Sequence, residues 1–161
     1  MIRLLLVDDH DIVREGLKQL IAADAGMRVV AEAGSGNQAL DRVRETELDV
    51  VVLDLSLPDR SGFDVLRQMH AVRPALPVLI LSMHSEEEFA VRTFRAGAAG
   101  YLTKNSAASQ LLNGIRKVAA GGRFVTPELA EHLAFELQRK EGDEPHKLLS
   151  EREFQVFLAI A

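Results

Sequence analysis

The 161-residue chain has no cysteine and no tryptophan, and a single tyrosine. Without cysteine there are no disulfides and no thiolate chemistry, which fits a reducing compartment. With no Trp and one Tyr there is little to stack on a flavin ring. A dense run of Lys or Arg is also missing, and the net charge is −5, so the global basic signature of a nucleic-acid binder is absent. The longest apolar runs are far too short to span a bilayer. Residues 2–7, apolar apart from Arg3, run straight into Asp8-Asp9, which is not the pattern of a signal peptide. There is no internal repeat and no low-complexity segment. What remains is an ordinary globular composition, long enough for one core and a modest appendage, with the cytoplasm as the expected compartment.

Hydrophobic patterning then divides the chain. Residues 2–7 read as a first buried strand. Asp11 is a plausible N-cap for a helix over 12–23, with Ile12, Val13, Gly16, Leu17, Leu20 and Ile21 on its apolar face. Gly26 interrupts that pattern, and MRVVAEA at 27–33 reads as a second strand. The loop 34–37 opens a short helix carrying Ala39, Leu40 and Val43. Strand three covers 49–53, and its apolar run 50–53 ends on Asp54, as expected of a strand buried on both faces of a parallel sheet. Pro58 and Gly62 punctuate a loop before a helix over 63–72 with Val65, Leu66 and Met69 inward. Pro74 and Pro77 bracket a turn into strand four, 78–81. Ser85 and the glutamates at 86–88 resemble an acidic first helical turn. That helix carries Phe89, Val91 and Phe94 and stops near Gly97. Strand five is 101–103, and a last helix runs over 107–120 to Gly121-Gly122. Gly62 and Gly97 are assigned to backbone turns.

Five strands alternating with five helices through short connections predict a doubly wound parallel sheet with helices on both faces. The ends of parallel strands share one edge, where open α/β folds bind their ligands. Asp8 and Asp9 follow strand one, Asp54 strand three, Ser82 strand four and Lys104 strand five. Three carboxylates gathered there repel one another. Lys104 offsets one charge, and Mg²⁺, which takes oxygen ligands and binds one or two carboxylates plus phosphate, is the natural partner for the rest. With a phosphoryl donor, Asp54 becomes a nucleophile that forms an acyl phosphate. The metal and Lys104 would steady the phosphoryl oxygens. Ser82 is placed to donate a hydrogen bond to the arriving group, and Tyr101 to follow Ser82 inward, so that a local charge change alters a surface. Asp11, Asp59 and Asp64 are read as structural, and His10 and His84 as local tuning or surface residues.

DDH at 8–10, VVVLDLSLPDRSG at 50–62, LILSMHSE at 79–86 and GAAGYLTK at 97–104 closely resemble response-regulator receiver domains over residues 1–120. The resemblance implies a flavodoxin-like five-stranded parallel sheet of order 2-1-3-4-5 with five flanking helices. It implies phosphorylation of Asp54 and Mg²⁺ held by Asp9, Asp54 and the Ser56 carbonyl, with Asp8 helping through water. Ser82 and Tyr101 would be the switch pair, and Lys104 the lysine of the pattern. It also implies a sensor histidine kinase as partner and a homodimer on phosphorylation. Asn105 stands where many receivers have proline, and Thr103 where an apolar residue is common.

Residues 121–161 break the alternation. Residues 121–149 read as a linker whose 127–140 portion is an amphipathic helix, with Leu129, Ala130, Leu133, Ala134 and Leu137 on one face. EGDEPH at 141–146 is polar. Ser150 and Glu153 form a capping box before the apolar segment 154–161. GGRFVTPELAEHL at 121–133 and LLSEREFQVFLAIA at 148–161 resemble the linker and opening helix of the NarL/FixJ group. That group carries a LuxR-type helix-turn-helix domain and regulates transcription, so DNA is the expected output partner. Residues 150–161 would be only the start of that domain. A stand-alone receiver acting through protein contacts is the alternative. A haloacid-dehalogenase-type phosphatase would want a second acid two residues after its nucleophile, where this chain has Ser56, and the acidic edge is wrong for a flavin phosphate.

Overall fold

A computed structural model describes residues 1–83, 87–104, 108–125, 130, 131 and 134, and of residues 87–89 the backbone alone. Its strands are β1 (Ile2–Val7), β2 (Met27–Ala33), β3 (Val50–Leu53), β4 (Val78–Ser82) and β5 (Gly100–Thr103). Its helices are α1 (Asp11–Ala22), α2 (Gly36–Glu45), α3 (Gly62–Val72), α4 (Glu87–Arg95) and α5 (Ala108–Ala119). The strands form one sheet of order β2-β1-β3-β4-β5, and every pairing is parallel. This is the flavodoxin-like doubly wound fold expected from the alternation.

Side chains on successive strand residues point to opposite faces, and both faces are covered. Leu5, Val7, Val51, Leu53, Ile80 and Tyr101 pack beneath α2, α3 and α4. Leu4, Leu6, Val50, Val52, Leu79, Leu81 and Leu102 pack beneath α1 and α5. That double burial is why β3 and β4 are unbroken apolar runs rather than alternating ones. The inward residues of α2 and α3 are those the helical spacing selects: Ala39, Leu40 and Val43, and Val65, Leu66 and Met69. Register carries the topology to one edge, where Val7 lies beside Leu53, Leu53 beside Ile80, and Ser82 beside Thr103.

Three local expectations are corrected. The N-cap of α1 is His10, and Asp11 is the first helical residue. The Asp11 carboxylate is drawn to Arg14 one turn on, at 2.5 Å, instead of capping the helix. Ile12 is 87% exposed, so α1 faces the sheet through Leu17, Leu20 and Ile21 and is rotated away from Ile12 and the exposed Gly16. Asp49 precedes β3 and its carboxylate accepts from the Arg3 backbone at 2.8 Å.

Arg123, Phe124 and Val125, expected to begin a linker, lie along the free edge of β5. Phe124 forms a parallel bridge with Gly100. Its carbonyl accepts from the Tyr101 amide and its amide donates to Ala99, both at 3.0 Å. Val125 is buried in the α2/α3/α4 core, and Ala130 packs against the same cluster. The rest of the expected helix over 127–140, apart from positions 130, 131 and 134, lies outside the described residues, as do the polar segment 141–149 and the apolar segment 150–161.

Candidate phosphoacceptor site

The last residues of β1, β3 and β5 deliver their successors to one pocket. Asp8 and Asp54 are each nearly sealed from solvent, and Ser82 is fully buried. Between the two acids sits the ammonium of Lys104, 2.8 Å from Asp8 Oδ2 and 3.2 Å from Asp54 Oδ2. The Lys104 amide donates to the Ser82 carbonyl at 2.7 Å, which continues the β4–β5 ladder to the end of the stem that carries the charge. Asp54 Oδ1 accepts from the Ser56 amide at 3.1 Å. Asp8 Oδ1 accepts from the His10 amide at 2.9 Å. The His10 Nδ1 lies 3.0 Å from both Asp8 and Asp9.

Burial acts on each group in a different balance. The Asp54 carboxyl is pushed above the usual carboxylate range by burial, which the Ser56 amide and Lys104 offset only in part. Burial also works against ionisation of Asp8, but hydrogen bonds from Lys104 and His10 outweigh it and hold Asp8 below that range. For Lys104, burial opposes the charge, and Asp8 and Asp54 together overcome it, so the ammonium is held above its ordinary value. The site is therefore a buried acid pair bridged by one cation, with Asp54 the less satisfied acid.

Among the described residues one group of ligating side chains comes together: Asp8, Asp9, His10 and Asp54, each offering one atom within 4.8 Å of the others. Three carboxylates, two of them paired with Lys104, are a hard, oxygen-rich donor set with net negative charge, which suits a divalent cation of the magnesium type.

The loop after Asp54 is braced from two sides. The Asp59 carboxylate accepts from the Gly36 and Asn37 amides at 2.8 and 3.1 Å, so it caps the start of α2 from across the pocket rim. At Gly62 the first turn of α3 touches the loop backbone, and a Cβ would stand 2.5 Å from Leu55 Cα. Only glycine allows that approach, so its role is backbone contact rather than a turn conformation.

Compared with protein families, residues 4–116 match the response regulator receiver domain. The chain belongs to this family. The response regulator GacA of Pseudomonas syringae is 39% identical over 161 residues, covering 99% of this chain and 75% of that protein. The response regulator UvrY of Escherichia coli is 34% identical, covering 99% of this chain and 74% of that protein. Among solved structures, a LuxR-family two-component response regulator from Aurantimonas is 42% identical. It superposes with a TM-score of 0.80 over 84% of this chain and 97% of that one.

In this receiver domain the structure gathers Asp8, Asp9, Asp54 and Lys104 as the strand-end reading predicts. Ser82 closes β4 on the same edge, its main chain tied to Lys104. Tyr101 lies further down β5, opposite Ile80, with its side chain wholly inside the core. His10 is largely exposed, and its ring nitrogen lies beside Asp8 and Asp9, which accords with a surface residue that tunes its neighbours. His84 and Asn105 lie outside the described residues. Asp59 is structural, as its loop position suggests, but its role is to cap α2. Its partners are 22 and 23 residues upstream, a pairing no local pattern announces. Among the described residues, no helix is long and apolar enough to cross a membrane.

Proposed function

We propose that this response regulator accepts a phosphoryl group on Asp54 from a sensor histidine kinase, in a Mg²⁺-dependent step, and passes the change through Ser82 and Tyr101 to a dimerising, DNA-binding output. The observation that carries it is the Lys104 ammonium bonded to both Asp8 and Asp54. Such a cation, once an acid is converted to its phosphorylated form, remains in place to hold phosphoryl oxygens.

Asp9, Asp54 and the Ser56 carbonyl would hold Mg²⁺, with Asp8 acting through water, and the cation would supply charge neutralisation for the phosphoryl oxygens. Asp54 Oδ attacks phosphorus in line. The new bond is Asp54 O–P, and the bond that breaks joins phosphorus to the donor nitrogen of a phosphohistidine or to the carboxylate oxygen of acetyl phosphate. The electron pair leaves with the donor. Ser82 donates its hydroxyl hydrogen to the new group, and its movement toward that group shifts the packing around Tyr101, whose ring is already buried in the core. Ser56 leaves no second acid two residues after the nucleophile to protonate a substrate's leaving group, so the acyl phosphate serves as a signal rather than a turnover intermediate. The 42% identity to a LuxR-family regulator and the resemblance of residues 148–161 to the opening of a helix-turn-helix domain support a transcriptional output.

The test is incubation with acetyl phosphate with and without Mg²⁺, followed by intact-mass measurement of the wild type and Asp54→Asn. One phosphoryl increment is expected in the wild type with Mg²⁺ alone. Modification that persists in Asp54→Asn, or that ignores Mg²⁺, overturns the assignment.

A further inference from the structure

We propose that Arg14 is a positioning residue for the cation-binding acids, acting through the main chain of Asp8; this rests on the Mg²⁺ site of the preceding reading. Arg14 lies on the first turn of α1, and its side chain is 17% exposed. Its three guanidinium nitrogens each have a separate partner. Nη1 donates to the Asp8 carbonyl, Nε to Glu32 Oε1 on β2 at 3.3 Å, and Nη2 to Asp11 Oδ1 at 2.5 Å. Glu32 is held in turn by Lys18, whose ammonium is 3.0 Å from Oε2. Gly34 leaves room for the group, since a Cβ there would stand 3.2 Å from Nη1.

The Asp8 carbonyl belongs to the peptide joining Asp8 to Asp9. Fixing it fixes the plane from which both side chains leave the strand end. Asp8 N–H is already committed to the Ala33 carbonyl at 3.1 Å, so β2 and the guanidinium between them hold both polar groups of this residue's main chain. The Arg14 charge is matched by Glu32 and Asp11, so its effect on the acids is geometric rather than that of a counter-ion. The planar fork is needed for three simultaneous partners at fixed angles; an ammonium on a flexible stem makes no such set. Groups one bond-step behind a metal's ligands set affinity by holding those ligands in place, and their loss weakens binding about 10- to 100-fold.

The test compares wild type with Arg14→Met and Arg14→Lys. Mg²⁺ binding is measured by calorimetry, and the initial rate of Asp54 phosphorylation by acetyl phosphate is followed as a function of Mg²⁺ concentration. Arg14→Met is expected to weaken Mg²⁺ binding about 10-fold. The same factor should raise the half-saturating Mg²⁺ concentration, and the rate at saturating Mg²⁺ should stay within about twofold of wild type. Arg14→Lys, which keeps the charge and fold-stabilising stem, should show most of the same loss, because the fork rather than the charge is required; it also serves if Arg14→Met does not fold. Wild-type Mg²⁺ affinity in the folded variants overturns the proposal, as does a lowered maximal rate with unchanged Mg²⁺ dependence. Absence of Mg²⁺ binding by the wild type would instead overturn the underlying reading of the site.

Discussion

The two buried acids make opposite demands on the fold. Asp54 titrates above its unfolded value, so the folded state loses stability as pH rises from the ordinary carboxylate range through the raised one, and the loss is complete above it. Asp8 titrates below its unfolded value, so its contribution is full above the ordinary range and disappears as pH falls through the depressed one. Asp54→Asn is therefore expected to raise stability at pH 7 by on the order of 1 kcal/mol, and Asp8→Asn to lower it by about 1–3 kcal/mol. Both differences should shrink as pH is lowered toward the carboxylate range. Thermal melts of the two variants across pH check this, and shifts of the same sign at pH 7 would refute the unequal sharing of Lys104. At this scale the site was legible because strand-end acids announce themselves after apolar runs. The capping role of Asp59 and the inward fork of Arg14 were not, because each depends on a partner brought from a distant element.

At the scale of elements, the loop joining β3 to α3 is set by the contact between Gly62 and Leu55. Gly62→Ala is expected to cost about 1–3 kcal/mol by overpacking against backbone. It should also slow Asp54 phosphorylation, because the displaced loop carries Ser56. Urea denaturation and the acetyl phosphate rate measure the two effects, and an unaffected rate in a destabilised variant would separate the loop from the chemistry. The helices and strands were readable from hydrophobic period, since a sheet buried on both faces writes its strands as apolar runs and its helices as stripes. The start of α1 departs from its residue pattern. Asp11 has the residue type of an N-cap, yet an arginine three residues on offers its carboxylate a better partner than the helix amides do. Ile12 likewise fits the apolar spacing, but the helix turns it outward. The pairing of Phe124 with β5 was hidden as well, because one bridge between Gly100 and a residue beyond α5 has no period to detect.

For the whole molecule, phosphorylation is expected to favour a dimer. Moving a pairing-competent state from 1:99 to 99:1 takes about 5.5 kcal/mol of differential stabilisation. A phosphoryl group carrying roughly two charges and new hydrogen bonds supplies part of this. Sizing-column elution of the wild type with Mg²⁺ and acetyl phosphate should move toward twice the monomer mass, and Asp54→Asn should not move. A shift shared by the variant would detach assembly from phosphorylation.

Lys104 reaches Asp8 across 96 residues of chain and Asp54 across 50. The cation that makes the acid pair tolerable is carried by the last strand to join the sheet in chain order. A nascent chain that has built β1, β3 and β4 holds two acids facing each other without their counter-charge, which disfavours its closing early. Contacts of such long separation also close slowly, since the loop entropy is lost before the contact forms. On the proposed phosphoacceptor reading, Asp54 is expected to become competent only once β5 has joined the sheet and brought Lys104 to it.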